Sequence, residues 1–168
     1  MKLMAGIVLL ILLTGSVFAG ETETETNWSN HPEVKKIRII YNEINSAEKT
    51  SKLKKEMKQC VLYEGNVEIE GELYKDQRGT IRKYVVTGGT GDSRARGEYY
   101  YDEKGIPRFT YRFRGAFNGT RIEDRIYFDE RGQHLYTNHK SEGPGYTESG
   151  FADSVSDPGG DYASLCRE

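Results

Sequence analysis

One six-residue unit occurs three times and limits what this chain can fold into. Tyr74-Lys75-Asp76-Gln77-Arg78-Gly79 is followed by Tyr100-Tyr101-Asp102-Glu103-Lys104-Gly105, and then by Tyr127-Phe128-Asp129-Glu130-Arg131-Gly132. The closing glycines fall at 79, 105 and 132, a spacing of 26 and then 27 residues. In each, an aromatic residue precedes an Asp that can accept from backbone amides of a type I turn, and Gly supplies the left-handed position that closes it. The unit therefore reads as a hairpin turn with a strand on either side.

A fourth turn, Asn118-Gly119, separates two further strands, and Gly88-Gly89-Thr90-Gly91 links the first hairpin to the second. Asn-Gly between alternating segments is a strong hairpin signal. The expectation is a meander of roughly six antiparallel strands. Taking Asn118-Gly119 as a two-residue loop sets Phe109 opposite Phe128 and Tyr111 opposite Ile126. Taking Glu103-Lys104-Gly105 as a three-residue loop sets Tyr99 opposite Phe109. One face then collects Tyr99, Tyr101, Phe109, Tyr111, Phe113, Ile122, Ile126 and Phe128. The other collects Glu98, Tyr100, Arg108, Arg112, Arg114, Glu123, Arg125 and Tyr127. Such alternation implies one dry face and one wet face. Asp124 interrupts the dry face and is expected at the sheet margin.

Ahead of the repeat, Val34, Ile37, Tyr41 and Ile44 recur at three and four residues, followed by Ala47, and form one apolar helical stripe. Asn30 is the expected N-cap and Pro32 suits the first turn. The pattern weakens at Asn45-Ser46, a possible break. Lys49 to Lys58 reads as the solvated face of more helix. The fold class is α+β: an N-terminal helix on one face of a roughly six-stranded antiparallel meander. Residues 140–168, rich in Gly, Ser and Asp, read as an irregular tail that Tyr146, Phe151, Val155, Tyr162 and Leu165 pin across the sheet. The plan resembles small exported modules with a helix on an antiparallel sheet, periplasmic inhibitor and PepSY-like domains among them. That likeness is one of topology and implies no function.

The N-terminus supplies an address. Lys2, an apolar run through Leu9-Leu10-Ile11-Leu12-Leu13, and Val17-Phe18-Ala19 before Gly20 form the three regions of a cleavable secretory signal, residues 1–19. The apolar run is too short to span a bilayer, so no stable membrane anchor is expected after cleavage. Residues 20–30, with alternating Glu and Thr, read as a disordered acidic lead on which Trp28 could dock back. Residues 31–168 then form a single domain. The two cysteines, Cys60 and Cys166, read as one disulfide in an exported chain.

Catalytic patterns are scarce. His134 and His139 lack a ligand cluster at metal spacing, and no Gly-x-Ser-x-Gly elbow occurs. Gly88-Gly89-Thr90-Gly91 lacks the Lys of a phosphate loop. Asp153, Asp157 and Asp161 do not match a calcium loop. No cofactor or metal is expected. A formal net charge of −2 gives no reason to expect nucleic acid. The candidate binding face is Tyr100, Arg108, Arg112, Arg114, Arg125 and Tyr127, where guanidinium planes and phenols could hold a protein or glycan partner outside the cytoplasm. The expected function is that of an exported, non-enzymatic binding protein acting through this face or the Gly-rich tail. One alternative is a small-ligand carrier with a Tyr-lined cleft between helix and sheet, for which a cavity of a few hundred Å3 would be the sign. Another is a small hydrolase-type enzyme.

Overall fold

The computed structural model describes residues 28–62, 64–144 and 151–167. The signal segment, most of the acidic lead and Tyr146 lie outside the described residues. The fold is α+β. Helix α1 (Pro32–Lys49) leads into seven strands: β1 (Lys54–Leu62), β2 (Val67–Lys75), β3 (Ile81–Gly89), β4 (Ser93–Tyr101), β5 (Pro107–Ala116), β6 (Arg121–Phe128) and β7 (His134–Glu142). They form one antiparallel sheet in sequence order, β1 to β7. A short helix, α2 (Pro158–Ser164), closes the chain.

The repeat is a repeat of turns. Oδ1 of Asp76 accepts from the amides of Arg78 and Thr80, at 2.9 and 3.0 Å. Asp102 does the same for Lys104 and Ile106, and Asp129 for Arg131 and Gln133. Gly79, Gly105 and Gly132 each donate back to their Asp carbonyl and take positive φ of 84°, 78° and 75°. A side chain there would be strained, which is why the unit ends in Gly. A register shift beside each unit, after Tyr74, Tyr100 and Tyr127, completes the pattern.

Those shifts, and one further turn, correct the expected register. The Asn118-Gly119 turn is also a three-residue loop: Ala116 N donates to Thr120 O and Gly119 N to Ala116 O, with Phe117 at the exposed tip. Phe109 therefore faces Tyr127 rather than Phe128, and Tyr100 rather than Tyr99. A slip of one residue turns every side chain of a strand to the other face. Phe109, Tyr111 and Phe113 thus leave the side of Tyr99, Ile122 and Ile126, and Arg108, Arg112 and Arg114 join it.

Both faces of the sheet are covered in part. On one, α1 lies across a single row of cross-strand partners: Tyr74, Lys83, Tyr100, Phe109, Tyr127 and Tyr136, one from each of β2 to β7. Val34, Ile37 and Ile44 form a core with Tyr100, Phe109 and Tyr127. Truncating one such buried aliphatic to Ala costs about 2–5 kcal/mol. The opposite face carries Leu73, Tyr84, Val86, Tyr99 and Tyr101, and the tail wraps it with Phe151, Val155, Tyr162 and Leu165, as their apolar spacing led us to expect. The tail packs directly on the backbone at Gly71, where a Cβ would collide with Leu165. Cys60 on β1 and Cys166 are disulfide-bonded.

Other expectations change. Lys54 to Lys58 belongs to β1, not to a helix: Lys55, opposite Tyr74, forms an ion pair with its diagonal neighbour Glu72 on β2, and Lys58 Nζ donates to the carbonyls of Tyr162 and Ala163, both at 3.0 Å. Cross-strand partners of opposite charge thus override the helical reading, and the sheet gains a seventh strand. Helix α1 runs unbroken through Asn45-Ser46 and ends where Thr50 Oγ1 donates to Ser46 O. Its N-cap is His31, whose Nδ1 accepts from Glu33 N, because Trp28–Asn30 forms a 3-10 turn ahead of it. That turn is docked: Trp28 stacks on Tyr136 at 4.8 Å. The tail is not wholly irregular, since Asp157 caps α2 by accepting from Gly160 N.

Candidate functional site

Helix α1 is tied down at both ends and stands off the sheet along one side. At its start, Trp28 rests on Tyr136. At its end, Lys83 Nζ donates to Asn45 Oδ1 at 3.1 Å and to Glu48 at 2.7 Å, and lies over the rings of Tyr74 and Tyr100. Lys83 is 4% exposed and neutralised by Glu48 and Glu98, so it serves as a strut between helix and sheet.

Between these ties a cleft of about 460 Å3 opens beside the helix. Ile37, Arg38, Tyr41 and Asn42 form its helical wall, and Phe109 and Tyr127 its inner floor. The outer floor is the next cross-strand row, Glu98, Tyr111 and Arg125 on β4, β5 and β6. A second hollow of about 540 Å3 shares Tyr41, Asn42 and Glu98 with the first and runs on towards Lys83 and Lys49. The two make one trough along α1. Tyr41 overhangs it, its ring edge-on to Phe109 at 5.4 Å and 4.9 Å from Tyr100. It remains 36% exposed, unlike the rest of the apolar stripe, which explains why a residue at a core-like position lines a cleft.

The electrostatics of the trough are lopsided. Burial would push the Glu98 carboxyl up, but Tyr100 Oη donates to it at 2.5 Å, Arg96 Nε at 2.7 Å, and Lys83 lies 3.5 Å away; together they hold it below the usual carboxylate range. Its charge is spent on the protein. Arg125 lies over the Tyr111 ring, 5.5 Å from its centroid, and shares Glu123 with Arg121. Two guanidiniums thus divide one carboxylate. Arg38 donates to a neutral partner, the carbonyl of Ser29, at 3.2 Å. Burial pushes the Tyr111 hydroxyl above its ordinary value. The lining cations Arg38, Lys49, Lys83 and Arg125 outnumber the lining carboxylates Glu48 and Glu98.

The six residues expected to share one wet face do not share one. Tyr100 and Tyr127 are 1% and 6% exposed beneath α1. Arg125 lies on their side of the sheet, at the cleft. Arg108, Arg112 and Arg114 point to the other side. Arg108 is buried, with Nε 3.4 Å from Phe128 O and a guanidinium nitrogen 3.6 Å from Asp102. Arg112 donates to Asp124 at 2.9 Å, to the tail carbonyl of Phe151 at 2.8 Å, and to the Asp153 carboxylate. Asp124 is not at a margin but buried in mid-sheet, where it also meets His139 Nδ1 at 2.6 Å. Arg112, Asp124 and His139 are cross-strand partners in one row that clamps the tail.

The sequence reading missed Arg38, Asn42 and Glu98 as cleft residues and set Phe109 and Tyr111 in a closed core. A signal was available in the repeat. Tyr74, Tyr100 and Tyr127 occupy the same place in each unit, so equal turns must deliver them to the same side of the sheet. No group of three or more His, Cys, Asp or Glu side chains suited to a metal ion occurs among the described residues. No family model matches the chain, and neither curated proteins nor solved structures gave a match.

Proposed function

We propose that this protein is an exported, non-enzymatic carrier that holds a small ligand in the trough between α1 and the sheet. The single observation that carries this reading is the cleft of about 460 Å3, which falls inside the range of about 300–1,000 Å3 typical of small-molecule sites. It has the usual composition of such sites: an apolar, aromatic floor with a few convergent polar groups. Export is supported by the signal pattern of Met1 to Ala19 and by the Cys60–Cys166 disulfide, a bond that persists in oxidising compartments. Among the described residues no helix is long and apolar enough to cross a membrane.

Binding through a single Arg/Tyr face has less support, because its six residues are divided between two faces. The Gly-rich tail is engaged in covering the sheet. The test is to fill the trough from its helical wall with Asn42→Trp, at an exposed position, and to measure small molecules retained by each protein by native mass spectrometry after purification from the exported fraction. A ligand present on the parent and lost from the variant, with unchanged circular dichroism, supports the carrier. Equal retention by both, or none by the parent, overturns it.

A further inference from the structure

Resting on the carrier reading, we infer that the trough takes an organic anion with a flat, aromatic body: a carboxylate or sulfonate on a ring system, rather than a neutral or cationic ligand of the same shape. The floor sets the body of the ligand. Phe109, Tyr127 and Tyr111 present rings from two adjacent strands, and Tyr41 stands edge-on above Phe109. Phe109 and Tyr127 are nearly buried and Tyr41 already packs edge-on against Phe109, so a planar apolar group lies along the trough against the partly exposed rings of Tyr41 and Tyr111, in the offset arrangements that aromatic groups favour.

The charges set the head. Arg125 is fixed in place by stacking on Tyr111 and by one hydrogen bond through Nη2 to Glu123. A guanidinium carries five donors in a planar fork, more than that carboxylate oxygen can use. Glu123 is itself shared with Arg121, and with Lys140 and Glu142 opposite them on β7 the cluster still carries an excess positive charge at the outer rim of the cleft. Arg38 adds a second guanidinium on the helical wall. A cationic ligand among these rings would sit between the like charges of Arg38 and Arg125, and the carboxylate on the floor that could offset them, Glu98, is already engaged by Tyr100, Arg96 and Lys83. Displacing those partners would leave buried groups unsatisfied, which is costly. An anion meets no such obstacle.

The probes are three compounds of one shape: 2-naphthoate, 2-naphthamide and 2-naphthylmethylammonium. Each is titrated into the isotope-labelled mature protein at neutral pH, with NMR signals of Phe109, Tyr111 and the Arg125 side chain as the readout. We expect naphthoate to shift these signals and to bind roughly tenfold more tightly than the amide, the worth of one charge-assisted hydrogen bond. Arg125→Gln should remove most of that preference, so that naphthoate and naphthamide bind about equally. Arg125→Lys, which keeps charge but loses the fork, should fall between them and controls for folding. Cleft signals that move equally for the amide or the ammonium compound overturn the anion inference and leave the carrier standing. If none of the three compounds moves the cleft signals at millimolar concentration, the inference fails outright. In that case ligand retention by the parent and Asn42→Trp proteins judges the carrier separately.

Discussion

Arg112 and Asp124 face each other across β5 and β6 at 2.9 Å, and the same guanidinium reaches over the sheet to the tail at Phe151 O. One residue therefore neutralises a buried carboxylate and anchors the covering strap. Arg112→Met leaves Asp124 buried with only His139 beside it. Removing one partner of a buried ion pair costs about 3–5 kcal/mol. We expect a loss of this order in urea unfolding, together with faster proteolysis in the tail. The double variant Arg112→Met/Asp124→Leu should recover much of the stability but not the tail protection.

The Cys60–Cys166 bond closes a loop between residues 106 apart in sequence. Chain-entropy models give roughly 4–5 kcal/mol for a loop of that length. Cys60→Ala/Cys166→Ala should lower the urea midpoint by an amount of this order. Hydrogen exchange should rise first at α2 and Leu165, which the bond holds against β2.

Gly71 lies where the tail touches the sheet. Gly71→Val places a Cβ against Leu165 and a side chain against Tyr162. Its effect should be overpacking, about 1–3 kcal/mol, despite the better strand propensity of Val. The same change at Gly91, in the exposed connector between β3 and β4, meets nothing within 4 Å and should cost far less. Thermal unfolding of the two variants separates local crowding from general loss of glycine.

Stability should form a plateau with an edge at each end of the pH range. Burial pushes the hydroxyls of Tyr84, Tyr99, Tyr100 and Tyr101 upward, Tyr99 to about 12. The unfolded chain loses these protons near pH 10 and the folded chain holds them, so stability is intact below about pH 10 and is lost as the pH rises towards the folded values. Glu72 and Glu98 are held low: burial opposes their ionisation, but hydrogen bonds from Lys55 and Tyr74, and from Tyr100 and Arg96, outweigh it. Their contribution is present above about pH 4.3 and is lost as the pH falls through their folded values. Urea midpoints between pH 3 and 12 should trace this shape. The tyrosinate absorbance of the buried tyrosines should appear together with unfolding, above the pH at which the exposed ones ionise.

Much of the architecture was legible because it rests on local chemistry. The Asp-x-x-Gly turns, the apolar stripe from Val34 to Ile44, the pinning residues of the tail and the pairing of the two cysteines are each written within a few residues or by elimination. The site was less legible because it depends on parity. Whether Phe109 lies with Tyr99 or with Tyr100 turns on one residue in a loop and one register shift, and neither changes the local pattern of β5. Once β5 is reversed, three arginines and three aromatics exchange faces, and a wet Arg/Tyr surface becomes a cleft. The lysines of β1 misled for a different reason. Their partners, Glu72 and the carbonyls of α2, are far away in sequence, so helical spacing alone had nothing to weigh against it.

The disulfide turns most of this molecule into a closed ring. The strap crosses the sheet from β5, where Arg112 holds Phe151, to the edge at β1, where Cys166 is sealed to Cys60, and every strand from β2 to β7 lies within the loop. Among the described residues, the Trp28–Asn30 turn, α1, β1 as far as Gln59, and Arg167 lie outside it. A force applied between the two ends of the chain is therefore carried past the strands from β2 to β7 by the disulfide. The helical wall of the trough thus lies outside the covalent ring, whereas its floor, from Glu98 on β4 to Tyr127 on β6, lies wholly inside it.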